Sequence, residues 1–217
     1  SETVVNVNVS KKSVRIELMS NDTLELNVGD EDKIIAYIII DDGSEMIPFD
    51  LFNSLEYNVT SDDDDDDDDS ADDIVGVDDE GNVKAVGAGK ANITVSFDGD
   101  GKYNAAENKT VTVTVSLKDA SVSADDITLD VGASAAVDVA VVPEGLDVTY
   151  TPDNSGVVSV ENGTITALKE GEGSVRVSVG GDGVYEFKSI DVTVTVKKIP
   201  TEISVENSTV DLKVNEE

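Results

Sequence analysis

Apolar and polar residues alternate along much of this chain with a period of two. Val-Thr-Val-Thr-Val stands at 111–115 and again at 192–196. Leu24, Leu26 and Val28 show the same pattern, as do Ile127, Leu129 and Val131. Successive side chains of a strand point to opposite faces, so this alternation of mostly β-branched residues predicts half-buried strands. No stretch carries a 3.6-residue apolar stripe over the length of a helix. The strand runs are short and punctuated by Gly, Asn and Asp, a spacing that predicts all-β sandwiches.

An internal repeat organises the strands. AVGAGKANITVSFDGDGKY at 85–103 aligns without a gap on ALKEGEGSVRVSVGGDGVY at 167–185, with Gly-Asp-Gly-x-Tyr at 99–103 and 181–185. TLELNVG at 23–29 matches DITLDVG at 126–132, and EISVENSTVDLKV at 202–214 aligns on DASVSADDITLDV at 119–131. A repeat on this scale predicts a tandem array of similar domains. Residues 4–12, VVNVNVSKK, look like the closing strand at 191–198, DVTVTVKK. The expected organisation is a closing strand of a preceding repeat at 1–12, a first domain at 13–118 and a second at 119–198. Opening strands of a following repeat would occupy 199–217. The joints Leu117-Lys118-Asp119-Ala120 and Lys197-Lys198-Ile199-Pro200 are short and not Gly/Ser-rich, which favours an extended, stiff arrangement. The terminal pieces, residues 3–10 and 202–214, would leave unpaired strand edges, so strand-mediated self-association is one expectation. Pairing against their own chain is the other.

Composition removes several functions. The 217 residues include 15 Lys+Arg and 47 Asp+Glu, for a net charge of -32. Such a polyanion repels nucleic acid and anionic lipid. There is no Cys and no His, which excludes disulfides, thiol chemistry, His-liganded metal and a Ser-His-Asp triad. No apolar run reaches the roughly 18 residues of a membrane span. The chain begins with Ser, so the lack of a leader decides little.

The second repeat contains VTYTPDNSGVVSVENGTITALKEGEGSVRVSV at 148–179. This resembles the bacterial immunoglobulin-like domain, group 2. Tyr150 stands where that family usually has Trp, and Asn154, Val157, Val160, Gly163, Ala167, Leu168 and Gly171 fall on its other pattern positions. In the first repeat Tyr57 replaces the Trp, with Gly81, Ala85 and Gly89 in place. The resemblance implies two tandem immunoglobulin-like Greek-key β-sandwiches. It also implies a cell-surface or secreted setting, since such domains recur in adhesins and as spacers in secreted enzymes. The physics agrees, with about seven short strands expected in each repeat. Tyr57 and Tyr150 are expected to supply the large core rings, and Tyr103 and Tyr185 to pin the last hairpin of each repeat.

The first repeat is longer. Gly29 and Gly132 lie 103 residues apart, whereas Asp119 and Glu202 lie 83 apart. The excess falls within an insertion at about 41–73, which includes the run Asp62, Asp63, Asp64, Asp65, Asp66, Asp67, Asp68 and Asp69. Eight adjacent carboxylates cannot bury, so a solvated loop with loosely held counterions is expected. The functional alternative is a calcium or mineral-surface contact. Calcium needs 6–8 oxygens in fixed geometry. Better-shaped candidates are the hairpin acids Asp98, Asp100 and Asp182, and the joint acids Asp119, Asp125 and Asp126; at all six an ordinary turn role is the favoured reading. No cofactor is required, and Ca²⁺ is the one considered. Seven Asn-x-Ser/Thr sequons, at Asn8, Asn21, Asn58, Asn92, Asn108, Asn162 and Asn207, add weight to a glycosylated surface protein.

Catalysis is not expected. With so many acids a carboxylate pair carries no signal, and no Trp is present to build a sugar platform. The reading is a non-catalytic structural or adhesive repeat region of an extracellular, cell-surface protein. Its partners would be adjacent repeats and a host or neighbouring-cell protein or glycan. The alternative is an accessory or spacer module, calcium- or glycan-binding, of an extracellular polysaccharide-acting enzyme.

Overall fold

A computed structural model describes residues 5–41, 54–61 and 71–204. The acidic run, most of the rest of the insertion, Asn207 and the opening strands beyond residue 204 lie outside the described residues. The chain divides into two units. The first runs through Ala120 and also takes in Gly180–Phe187; the second comprises Ser121–Val179 and the chain from Lys188 onward.

In the first repeat the strands are β1 (Val14–Leu18), β2 (Thr23–Asn27), β3 (Glu31–Lys33), β4 (Ala36–Ile40), β5 (Glu56–Ser61), β6 (Val75–Val77), β7 (Asn82–Ala85), β8 (Gly89–Ser96) and β9 (Lys109–Ser116). One turn of helix, α1 (Ala71–Ile74), precedes β6. One face is the sheet β2-β9-β8-β5. The other is formed by β3-β7-β6 together with the pair β1-β4. The second repeat runs β10 (Ser121–Ala124), β11 (Ile127–Asp130), β12 (Ser134–Ala136), β13 (Val139–Val142), β14 (Thr149–Pro152), β15 (Val158–Glu161), β16 (Thr164–Ala167), β17 (Gly171–Val179) and β18 (Lys188–Lys197). Its pairings reproduce the first set strand for strand: β11-β18-β17-β14, β12-β16-β15 and β10-β13.

Each repeat has nine strand segments where about seven were expected, because two strands are broken. The opening strand pairs across one sheet as β1, then crosses to the other as β2. The next is interrupted at Ile34-Ile35, where the Ile34 amide donates to the Gly81 carbonyl (2.8 Å) and the Met19 amide to the Ile35 carbonyl (2.8 Å). The second repeat breaks at the same place, with the Val137 amide donating to the Gly163 carbonyl at 2.9 Å. Rejoined, the segments form two sheets of an immunoglobulin-like, Greek-key sandwich. The protein is all-β with two such sandwiches in tandem.

Alternation places the cores. In β8 and β9, Ala91, Ile93, Val95, Val111, Val113 and Val115 point inward and are at most 3% exposed. They face Ile16 and Ile38 among others. In the second repeat Val175, Val177, Val192, Val194 and Val196 face Ile165. Ile74 of α1 packs over Gly89, where a side chain would meet the Ile74 Cδ1 at 2.9 Å. Among the described residues no helix is long and apolar enough to cross a membrane.

In both repeats the parallel pair joins the first strand of a sheet to the last strand of the repeat. β2 runs parallel to β9 from Thr23↔Thr112 to Asn27↔Ser116. β11 runs parallel to β18 from Ile127↔Val194 to Asp130↔Lys197.

Candidate functional site

The repeated Gly-Asp-Gly-x-Tyr segments form the loops after β8 and β17. In the first loop, Asp100 Oδ1 accepts from the backbone amides of Lys102 (2.6 Å) and Tyr103 (2.7 Å). In the second, Asp182 Oδ1 accepts from the amides of Val184 (3.0 Å) and Tyr185 (2.9 Å). An Asp side chain that binds the backbone two and three residues on closes a turn of this kind, here together with a backbone bond in each loop, the Asp100 amide donating to the Tyr103 carbonyl (3.0 Å) and the Gly181 amide to the Tyr185 carbonyl (2.9 Å). The bonded amides hold both carboxyls below the ordinary carboxylate range. At Asp100 the nearby Lys102 and Lys11 add to the effect.

Each loop receives one residue of an extended segment. The Lys12 amide donates to the Lys102 carbonyl (2.9 Å), and the Asn104 amide donates to the Lys12 carbonyl (2.9 Å). The Lys118 amide donates to the Val184 carbonyl (2.8 Å), and the Glu186 amide donates to the Lys118 carbonyl (3.0 Å). Both are single parallel bridges, Lys12 with Tyr103 and Lys118 with Tyr185. Lys118 also lies 3.9 Å from Asp30 in an ion pair. Beside Lys12 an open groove of ≈ 330 Å³ is lined by Val9, Lys11, Lys12, Lys102 and Tyr103, a local concentration of cations on an acidic chain.

The other acids singled out from the sequence are dispersed. Asp126 Oδ1 accepts from the Thr193 amide (2.8 Å), tying the start of β11 to β18. Asp98, Asp119 and Asp125 are exposed. Among the described residues no group of three or more acidic side chains is gathered to hold a metal ion. The run Asp62–Asp69 lies outside them.

The four tyrosines singled out from the sequence divide into two kinds. Tyr57 on β5 and Tyr150 on β14 are half-buried and pack on their respective cores. Each ring lies over the glycine of a neighbouring hairpin. A Cβ on Gly81 would stand 3.0 Å from the Tyr57 ring, and one on Gly163 would stand 3.1 Å from the Tyr150 ring. Burial raises the Tyr57 hydroxyl pKa, and the charge of Asp78 adds to it. Tyr103 packs against the first core from its loop. Tyr185 is partly buried and makes the bridge to Lys118.

Two organising acids had not been singled out. Asp78 Oδ1 accepts from the amides of Glu80 and Asn82, both at 2.9 Å, and its Oδ2 accepts from the Asn82 side chain at 2.7 Å. Asp153 accepts from the Ser155 hydroxyl (2.6 Å) and amide (3.1 Å) and from the Ser174 amide (2.9 Å). These bonds hold both carboxyls below their ordinary range, chiefly through Asn82 and Ser155. The signal for Asp78 was the Asp-x-Glu-Gly-Asn string, a turn pattern in its own right. Of the sequon residues, Asn92 is engaged, with its side-chain oxygen accepting from the Thr112 hydroxyl at 2.9 Å.

The geometry defines a tandem immunoglobulin-like repeat chain with matched loops at matched places. No protein-family model matches it, and no curated protein matches it. Among solved structures the chain is similar to the S-layer protein rSbsC(31-844), at 16% identity and TM-score 0.40 over 87% of this chain and 28% of that one. Domains 4 and 5 of the S-layer protein SbsC match at 16% identity and TM-score 0.35, over 86% of this chain and 99% of that one. Drosophila N-cadherin EC1-3 matches at 10% identity and TM-score 0.31, over 85% of this chain and 68% of that one. The chain thus spans about 28% of the length of the first of these.

Proposed function

We propose that this chain is a non-catalytic, load-bearing repeat region of an extracellular, cell-surface protein of the adhesin-like kind. The observation that carries the reading is the parallel pairing of β2 with β9 and of β11 with β18. Tension on the chain pulls β2 toward its N-terminal end and β9 toward its C-terminal end. For parallel neighbours those pulls lie along the strands, so the whole ladder is loaded in shear and its bonds must fail together. Antiparallel terminal strands would instead open one bond at a time.

Other features fit the same role. The two repeats share every pairing, as an array of interchangeable units requires. The net charge of -32 opposes collapse and self-association. Seven sequons suit a glycosylated surface. The group 2 bacterial immunoglobulin-like resemblance, carried by residues 148–179, points to the same class.

The test is replacement. In the protein that carries this region, exchanging it for unrelated sandwiches of equal number and matching mechanical strength should preserve function. Shortening it should not. Loss of function on equal-length replacement, with saturable binding by this chain in a glycan screen, would support the accessory-module reading instead.

A further inference from the structure

Residues 5–12 and 111–118 share the pattern Val-x-Val-x-Val-Ser-x-Lys without a gap. Val111, Val113 and Val115 are buried in β9, at 0, 0 and 3% exposed. Val5, Val7 and Val9 are 76, 78 and 86% exposed, yet the lysine that ends their pattern is held as Lys118 is held. What the two lysines share is the receiving loop: Asp100 or Asp182 closing the turn, and a Tyr flanked by one carbonyl acceptor and one amide donor.

We propose that the Gly-Asp-Gly-x-Tyr loop is a docking surface for an extended segment of its own chain, seating the lysine that ends the Val-x-Val-x-Val-Ser-x-Lys pattern. The contact is made by the backbone on both sides. The loop therefore reads the extended conformation of the segment, and the Asp side chain acts by fixing the turn that presents the two backbone groups. This inference rests on the repeat reading above, and it assigns the Asp of each motif to positioning. It also explains why the motif recurs with Asp and Tyr retained while the residue between Gly and Tyr changes from Lys102 to Val184.

The test is amide hydrogen exchange by nuclear magnetic resonance on the full 217-residue chain. Amides of Lys12, Asn104, Lys118 and Glu186 should exchange at least about tenfold slower than in an unstructured chain. Asp100→Ala should remove protection at Lys12 and Asn104 and leave Lys118 and Glu186 unchanged. Asp182→Ala should do the reverse. Asp100→Asn keeps the acceptor oxygen and should retain protection. Unprotected Lys12 and Lys118 amides in the unaltered chain overturn the proposal, as does Asp100→Ala with Lys12 still protected. If an alanine variant unfolds, Lys12→Pro removes one donor from an exposed segment. It should speed exchange at Asn104 while β8 and β9 amides hold, and no change at Asn104 overturns the proposal. Unprotected lysine amides in a chain that still resists force would remove the docking role and leave the load-bearing role standing.

Discussion

Gly29 and Gly81 both sit at positive φ in the first unit, at +85° and +79°, so φ alone predicts the same cost for replacing either by Ala. Their surroundings differ. A Cβ on Gly29 would meet the end of the flexible Lys118 side chain at 3.6 Å, an ordinary contact. A Cβ on Gly81 would stand 2.7 Å from the Ile34 carbonyl oxygen and 3.0 Å from the Tyr57 ring. Backbone cannot move aside as a lysine can, and the Gly81 carbonyl itself accepts from the Ile34 amide at 2.8 Å. A left-handed backbone costs Ala about 1–2 kcal/mol, partly offset by about 0.4–1 kcal/mol because Ala restricts the unfolded chain. Gly29→Ala should therefore lose about 1 kcal/mol. Gly81→Ala adds overpacking of about 1–3 kcal/mol, for a total of about 3 kcal/mol. At about 4 °C per kcal/mol for a unit near 100 residues, calorimetry should show falls of about 4 and about 12 °C. Equal falls for the two variants would refute the steric account of the Tyr57–Gly81 contact.

Ile93 and Ile165 are both 0% exposed, one in each core, and Ile→Ala at either should cost about 2–5 kcal/mol in chemical denaturation. Fluorine or carbon NMR titration should find Asp78, Asp100, Asp153 and Asp182 protonating below the ordinary Asp value of 3.8. A folded pKa below the unfolded one stabilises at pH above the unfolded value and is lost as pH falls through the folded value, so these turns should weaken only below about pH 4. Asp126→Ala should speed amide exchange at Thr193 while that of Val194 stays slow, because only the former bonds to the carboxylate. Calcium, compared with magnesium at matched ionic strength, should leave exchange at Lys12 and Lys118 unchanged, since one oxygen of Asp100 and of Asp182 is already engaged by the turn. A calcium-selective slowing there would assign those loops to metal.

Strands with alternating burial were legible in the sequence, because a half-buried strand must alternate. β8, β9 and β18 follow that rule closely, and β17 follows it up to Val177, after which Ser178 and Val179 are both buried. β3 was not legible: Glu31, Asp32 and Lys33 are all exposed, and their pairing with β7 is imposed by the turns on either side. β12, Ser134-Ala135-Ala136, is silent because its one partly buried residue, Ala135, is too small to mark an apolar face. α1 is a single turn whose one buried residue, Ile74, leaves no periodicity to read. The matched Gly-Asp-Gly-x-Tyr loops could be found by aligning the chain on itself. Local sequence could not decide whether their acids face a metal or their own backbone, since that depends on where one oxygen points. Nor could it connect Tyr103 with Lys12, which meet only once the sandwich has folded.

The load-bearing account is tested most directly by stretching the full chain between its ends in a single-molecule force experiment. The account predicts two separate, force-resistant unfolding steps. At ~3.5 Å per extended residue, Val14–Ser116 and Ser121–Lys197 should release roughly 360 and 270 Å, less the folded span of each. Replacing Leu24 in β2 by Pro, which removes a backbone donor from the β2–β9 ladder, should weaken the longer step only. Extension without resolved steps, or steps whose force ignores the β2–β9 pairing, would contradict it.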